Sequence, residues 1–164
     1  MPAPAPRKPV GGVTAAALTP AGNLLRAAAA ADGRIEAVFR DPDGLVEFPL
    51  AGERSSYTEL LDTEAGPQRV RRVLTLVVSR EVAGTLLTPA FRRTAAGGVV
   101  AVVTMASGER LLAGWSPCLG TEQPLRLGSV RMESGTRPLD GTPVVLTFTG
   151  EDTDPAAELK PQEP

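Results

Sequence analysis

The sequence predicts a mainly β protein, a β-sandwich or partly closed barrel with one flanking α-helix, on three observations. Short apolar runs follow one another, separated by Gly, Pro and Asp turns, the punctuation of an all-β chain. One stretch alone, residues 79–96, switches to helical spacing. Both ends of the chain are poor in the large apolar side chains that build a core.

The 164 residues suffice for one domain with a single buried core. Residues 1–9 (MPAPAPRKP) read as a flexible, proline-rich N-terminal arm, because proline fixes φ and removes an amide donor. Residues 10–150 read as the sandwich or barrel domain, and residues 151–164 as a polar C-terminal tail.

Within the domain, residues 10–18 make a weak first strand, loosened by Gly11 and Gly12. Residues 23–31 are alanine-rich and predict a short helix, with Asn23 as N-cap and Gly33 as terminator. Residues 34–40 and 45–50 flank Asp41-Pro42-Asp43-Gly44 and predict a hairpin. Residues 55–62 alternate only weakly. The clearest long strand is 68–78, with Val70, Leu74, Leu76 and Val78 on one face and Arg71, Val73, Thr75 and Val77 on the other. Its middle is apolar on both faces, so it belongs at the centre of a sheet or under cover on both sides.

Over 79–96, Val82, Leu86, Ala90 and Phe91 recur as one face of a helix. Ser79 is the expected N-cap, Glu81 lies in the first turn, Arg92 and Arg93 suit the C-terminal end, and Gly97-Gly98 stops it. Pro89 conflicts with an unbroken helix, since an interior proline costs about 3 kcal/mol. It predicts either a kink or a helix that starts near Thr88. Residues 99–105 and 110–115 then form a hairpin about 106–109, whose first arm is a buried central strand. In 125–133 the apolar face slips from Leu125 and Leu127 to Val130 and Met132, which predicts a bulge near Gly128. The last strand, 143–149, turns Val144, Leu146 and Phe148 inward after a turn at 138–141.

Apolar residues make up 42% of the chain and aromatics 4%, so the core is Val, Leu, Ala and Ile around Phe39, Phe48, Tyr57, Phe91, Trp115 and Phe148. A net charge of −2 gives no electrostatic reason to bind nucleic acid or anionic membrane. Arg69, Arg71 and Arg72, with Arg92 and Arg93, are local basic spots assigned to solvated or subunit-facing surface. Cys118 is the single cysteine, which excludes an intrachain disulfide. The N-terminal arm lacks the apolar centre of a signal peptide, and no apolar run approaches the ~20 residues of a membrane helix. A soluble protein of the cytosol or a virion is expected.

Catalysis has little to work with. Without histidine there is no Ser-His-Asp or Cys-His pair and no imidazole metal ligand. Cys118, between Pro117 and Leu119, has no activating neighbour in sequence. Asp41 and Asp43 sit in a turn that Pro42 and Gly44 already explain. Glu151, Asp152 and Asp154 match only a fragment of a calcium loop. Glu59 and Glu64 are formally a glycosidase pair, with nothing to raise them above any two carboxylates. No catalytic, cofactor-binding or metal residue is therefore assigned, and neither enzymatic activity nor a cofactor is expected. Tyr57, the only tyrosine, reads equally as a partly buried anchor or as an inter-subunit contact.

Ser56-Tyr57-Thr58-Glu59 stands before a long strand, and the helix ending in Gly97-Gly98, GERLLAG at 108–114 and PLRL at 124–127 follow it. This order of signals resembles small virion proteins of phages and prophages from Bacteroidota. Ser134-Gly135-Thr136, Asp140-Gly141 and the strand from Val144 to Thr149 complete it. The element order is also similar to the phage tail-tube fold, a β-sandwich with a flanking helix and a long loop. That resemblance implies a virion location after assembly in the host cytoplasm, with hexameric rings stacked into a tube that conducts DNA. It implies contacts between neighbours in a ring through the helix and sheet edges. Ring-to-ring contacts would fall to loop 62–68, the tip at Asp41 and the terminal arms. The partners implied are copies of the same chain and other tail or neck proteins, without tight nucleic-acid or membrane binding.

Physical reasoning points the same way, since exposed strand edges are a liability in a monomer and useful in a polymer. The alternatives are a neck, tail-terminator or connector protein that forms one ring, and a carbohydrate- or protein-binding β-sandwich with Trp115 and Tyr57 as its available aromatics.

Overall fold

Strand parity decides the architecture of this chain, which a computed structural model describes over residues 12–52, 54–62, 69–134 and 142–160. The N-terminal arm 1–9, Glu64 and most of the loop around it (63–68), Gly135, Thr136, the turn at 138–141 and the final residues 161–164 lie outside the described residues.

Three antiparallel sheets are formed, none closed into a barrel. The largest contains β1 (Val13–Pro20), β4 (Val46–Phe48), β7 (Val99–Met105), β8 (Arg110–Ala113) and β11 (Ala157–Glu158), in the order β11-β8-β7-β1-β4. A four-stranded sheet takes β5 (Ser56–Asp62), β6 (Arg69–Val78), β9 (Arg126–Met132) and β10 (Val144–Asp152), in the order β5-β6-β10-β9. The third sheet is a ribbon of β2 (Leu24–Ala29) and β3 (Ile35–Phe39). The fold is thus β-sandwich-like.

β7 explains the layering. Val99, Ala101 and Val103 face the four-stranded sheet and join Leu74, Leu76, Val78, Val144, Leu146 and Phe148 in the main core. Val100 and Val102 point the other way, into a second core with Ile35, Leu112, Trp115 and Leu159 that the ribbon covers. The expectation of a buried strand, apolar on both faces, is met because each face has its own sheet to pack on.

The helical region resolves the conflict at Pro89 by splitting. α1 (Arg80–Leu86) starts at Ser79, whose hydroxyl accepts from the Val82 amide at 3.2 Å. α2 (Pro89–Gly97) starts afresh with Thr88 as N-cap and proline at a first-turn position, where its missing N–H has no partner to lose. Two helices therefore replace the single one expected, and Phe91 packs its ring 5.4 Å from that of Phe48. The bulge in β9 lies where the sequence predicts it. Ser129 pairs with Thr147 and Leu127 with Phe148, leaving Gly128 as the extra residue.

Four expectations are corrected. Residues 24–29 form β2, not a helix, because pairing with β3 outweighs the helix preference of alanine. Asn23 is no helix cap. Its side chain donates to the Asp41 carbonyl at 2.8 Å and accepts from the Asp41 amide at 2.9 Å, closing the open end of the ribbon. Residues 34–40 and 45–50 do not pair with each other. The turn at Pro42–Gly44 carries the chain from the ribbon to the large sheet, where β4 pairs with β1. Residues 151–160 are not a free tail, since β10 runs to Asp152 and β11 adds to β8.

Leu146 is fully buried in the main core. Leu146→Ala is expected to cost about 2–5 kcal/mol, against about 0.5 kcal/mol or less for Leu60→Ala at a surface position. Urea unfolding of the two variants measures the difference.

Candidate functional site

Two features stand out from the ordinary surface and core. The first is the pair of free edges of the four-stranded sheet. β5 and β9 are seven residues each and, among the described residues, pair on one side only, whereas the edges of the large sheet are strands of three and two residues. A short edge offers few free amides and carbonyls; a long one is a template for another strand. Among the described residues, six large apolar side chains are exposed, and four lie on these edges: Leu60 (60%), Leu61 (46%), Val130 (45%) and Met132 (60%).

Register explains why they are bare. Val130 and Met132 pair with Leu146 and Val144, so they share the core-facing side of the sheet, yet both stay exposed at its edge even though α2 packs against β9. Leu61 does the same at the other edge, opposite Val70. Antiparallel pairing throughout makes β5 and β9 run in opposite directions. At the end of β9, hydrogen bonds from Arg54 and Arg131 hold the Glu133 carboxyl below its ordinary range.

The second feature is a polar cluster at one end of the sandwich. Position 72 shares the parity of Val70 and Leu74, so Arg72 points inward and its side chain is 1% exposed. This corrects its assignment to a basic surface spot, while Arg69 and Arg71, both of the opposite parity, are exposed. Asp152 continues the inward series of Leu146 and Phe148 and is likewise buried, with its Oδ2 3.6 Å from Arg72 Nη1.

Beside them, the Tyr57 hydroxyl donates to Glu59 at 2.6 Å. Burial, then that hydrogen bond and the Glu59 charge, push the phenol well above its ordinary value of 10.0. Glu59 also accepts from the Ala156 amide at 2.8 Å, and Arg72 Nη2 donates to the Asp154 carbonyl at 2.5 Å. Among the described residues, Arg72 Nε has no hydrogen-bond partner, and Arg72 Nη1 and Asp152 Oδ2 face each other at 3.6 Å as an ion pair without a hydrogen bond. A buried N–H without a partner, as at Arg72 Nε, costs about 1–3 kcal/mol, so the cluster holds the chain end imperfectly.

The other candidates separate. Glu151 projects to the opposite face from Asp152 and lies 3.7 Å from Arg71, so the acidic run does not converge on one point. Glu59 is engaged by Tyr57 and Ala156, which gives the tyrosine an anchoring role inside the fold. Asp41 caps its own turn, accepting from the Asp43 amide. Cys118 is exposed in the turn between Ser116 and Gly120. Trp115 is 9% exposed within the second core and offers no sugar platform. A cleft of about 940 Å³ between β3 and the large sheet has Ala15, Ala17 and Val102 among its lining, with Glu36, Arg110 and Lys160. No helix among the described residues is long and apolar enough to cross a membrane. Sequence reasoning missed the Arg72–Asp152 pair, although parity with Val70 and Phe148 was the available signal. No family model, curated protein or solved structure matches the chain.

Because the folded state keeps Tyr57 neutral, its contribution to stability is complete below pH 10 and is lost as pH rises above the unfolded-state value. The chain has one tyrosine. Absorbance at the tyrosinate band should stay flat in folded protein past the ordinary phenol range and rise only with alkaline unfolding. A simple titration centred near 10 in folded protein would contradict the burial described.

Proposed function

We propose that this chain is a non-enzymatic structural subunit that self-assembles by pairing the β9 edge of one copy with the β5 edge of the next, as the subunit of a phage tail tube. The observation that carries this reading is the pair of long free edges on a single sheet, flanked by Leu60, Leu61, Val130 and Met132. The opposed directions of β5 and β9 allow the antiparallel alternation to continue across the contact. Because the two edges differ, the contact is head-to-tail, and such contacts close into rings or run on as filaments. β9 begins on Arg126 and β5 ends on Asp62, so an in-register antiparallel contact brings charges of opposite sign together at one end of the junction. The sequence resemblance to tail-tube proteins adds the hexameric ring and the stacking of rings into a DNA conduit.

Negative-stain microscopy with light scattering over a concentration series tests this. Stacked rings are the expected result, single closed rings favour a neck or terminator protein, and a strict monomer opposes self-assembly. Leu60→Lys combined with Met132→Lys places like charges on both edges at positions that are 60% exposed. The variant should keep its circular dichroism spectrum while the assembly midpoint rises about tenfold or more, equivalent to ~1.4 kcal/mol at the contact. Unchanged particles would exclude these edges as the interface.

A further inference from the structure

The C-terminal segment touches every layer of the fold. After β10 the chain turns through Thr153, Asp154, Pro155 and Ala156, then β11 pairs Ala157 with Leu112 and Glu158 with Leu111. Leu159 is buried in the second core and bridges Ile35 of the ribbon in parallel. Outside, Arg34 reaches Glu158 at 3.3 Å and Lys160 reaches Glu36 at 3.1 Å.

We propose that residues 153–160 are an exchangeable strap, in which β11 and Leu159 of one copy leave their own β8 and ribbon and occupy the same places on a second copy. The inference deepens the self-assembly reading, and rests on it for the use of the exchange in assembly. Such a swap keeps every contact of β11 and Leu159, so the turn at 153–156 decides between the two forms.

That turn carries opposing terms. Arg72 holds the Asp154 carbonyl and Glu59 holds the Ala156 amide, contacts that belong to the folded-back turn. The same folded-back turn sits on the Arg72 side chain, whose Nε is buried without a hydrogen-bond partner and whose Nη1 meets Asp152 Oδ2 only as an ion pair at 3.6 Å. Opening it gives these atoms access to water. A short turn under such opposing terms is the kind that favours exchange. Leu159, buried to 7% exposure, makes a strap left loose in solvent unfavourable, so an opened strap seeks another copy.

The test uses Leu111 and Glu158, which face each other in the register, a spacing that suits a disulfide. In a Cys118→Ser background, a tagged Leu111→Cys chain and an untagged Glu158→Cys chain are mixed at high concentration and oxidised. A double variant, Leu111→Cys with Glu158→Cys, confirms that the pair can close within one chain. The expected result is a mixed disulfide between tagged and untagged chains that increases with concentration. Arg72→Met should raise it several-fold, and Glu59→Ala, which removes the other anchor of the turn, should act in the same direction if the first variant does not fold.

Mixed disulfide no greater than that from Leu111→Cys with Thr14→Cys, an exposed control position, overturns the strap. Assembly without mixed disulfide also overturns it and leaves the β5–β9 edge reading standing. Mixed dimers that grow no further support the strap and count against the edge reading.

Discussion

β7 is the strand on which the rest of the molecule depends. Its residues Val99 to Val103 have no polar face, and all are buried. A fully buried valine is worth about 1.5–3 kcal/mol relative to an exposed one. Exposing either face of β7 would thus remove a large part of the ~5–15 kcal/mol that holds an ordinary domain together. The sandwich on one side and the ribbon on the other are two answers to that single constraint. The ribbon needs fastening, and the C-terminal segment does this by joining β8 and Ile35 at once.

The polar cluster and the bare edges follow from the same geometry at its margins. Where the inner face of the four-stranded sheet runs past the main apolar core, its inward positions include the buried Arg72 and Asp152 beside Val70. Replacing one partner of such a buried pair leaves an uncompensated charge, so the two residues are needed together. Where the sheet runs beyond its cover sideways, the inward positions are still apolar, and Leu61, Val130 and Met132 meet solvent. The first margin fastens the chain end; the second leaves apolar side chains exposed along the sheet edges.

Much of this was legible in the sequence wherever a local signal and the packing agree. β7, the β7–β8 turn, the Gly128 bulge and the restart of the helix at Thr88 each carry their own marker. Residues 24–29 do not. Alanine favours helix, and only the ribbon partner and the Asn23 side chain make this segment a strand. The turn at Asp41 was readable, but alternation tells which face a residue takes and never which strand lies beside it, so β3 and β4 were matched to each other instead of to β2 and β1. Arg72 was hidden by its charge, although its parity placed it inside. The chain end looked solvated because its polar residues outnumber Leu159, the one large side chain that anchors it.

Hydrogen exchange read by mass spectrometry across a dilution series tests the central claim most directly. As particle mass increases, amides in 56–62 and 126–132 should gain protection, while those in β7, already enclosed, should not change. Growth in mass without added protection in either edge would contradict assembly through β5 and β9.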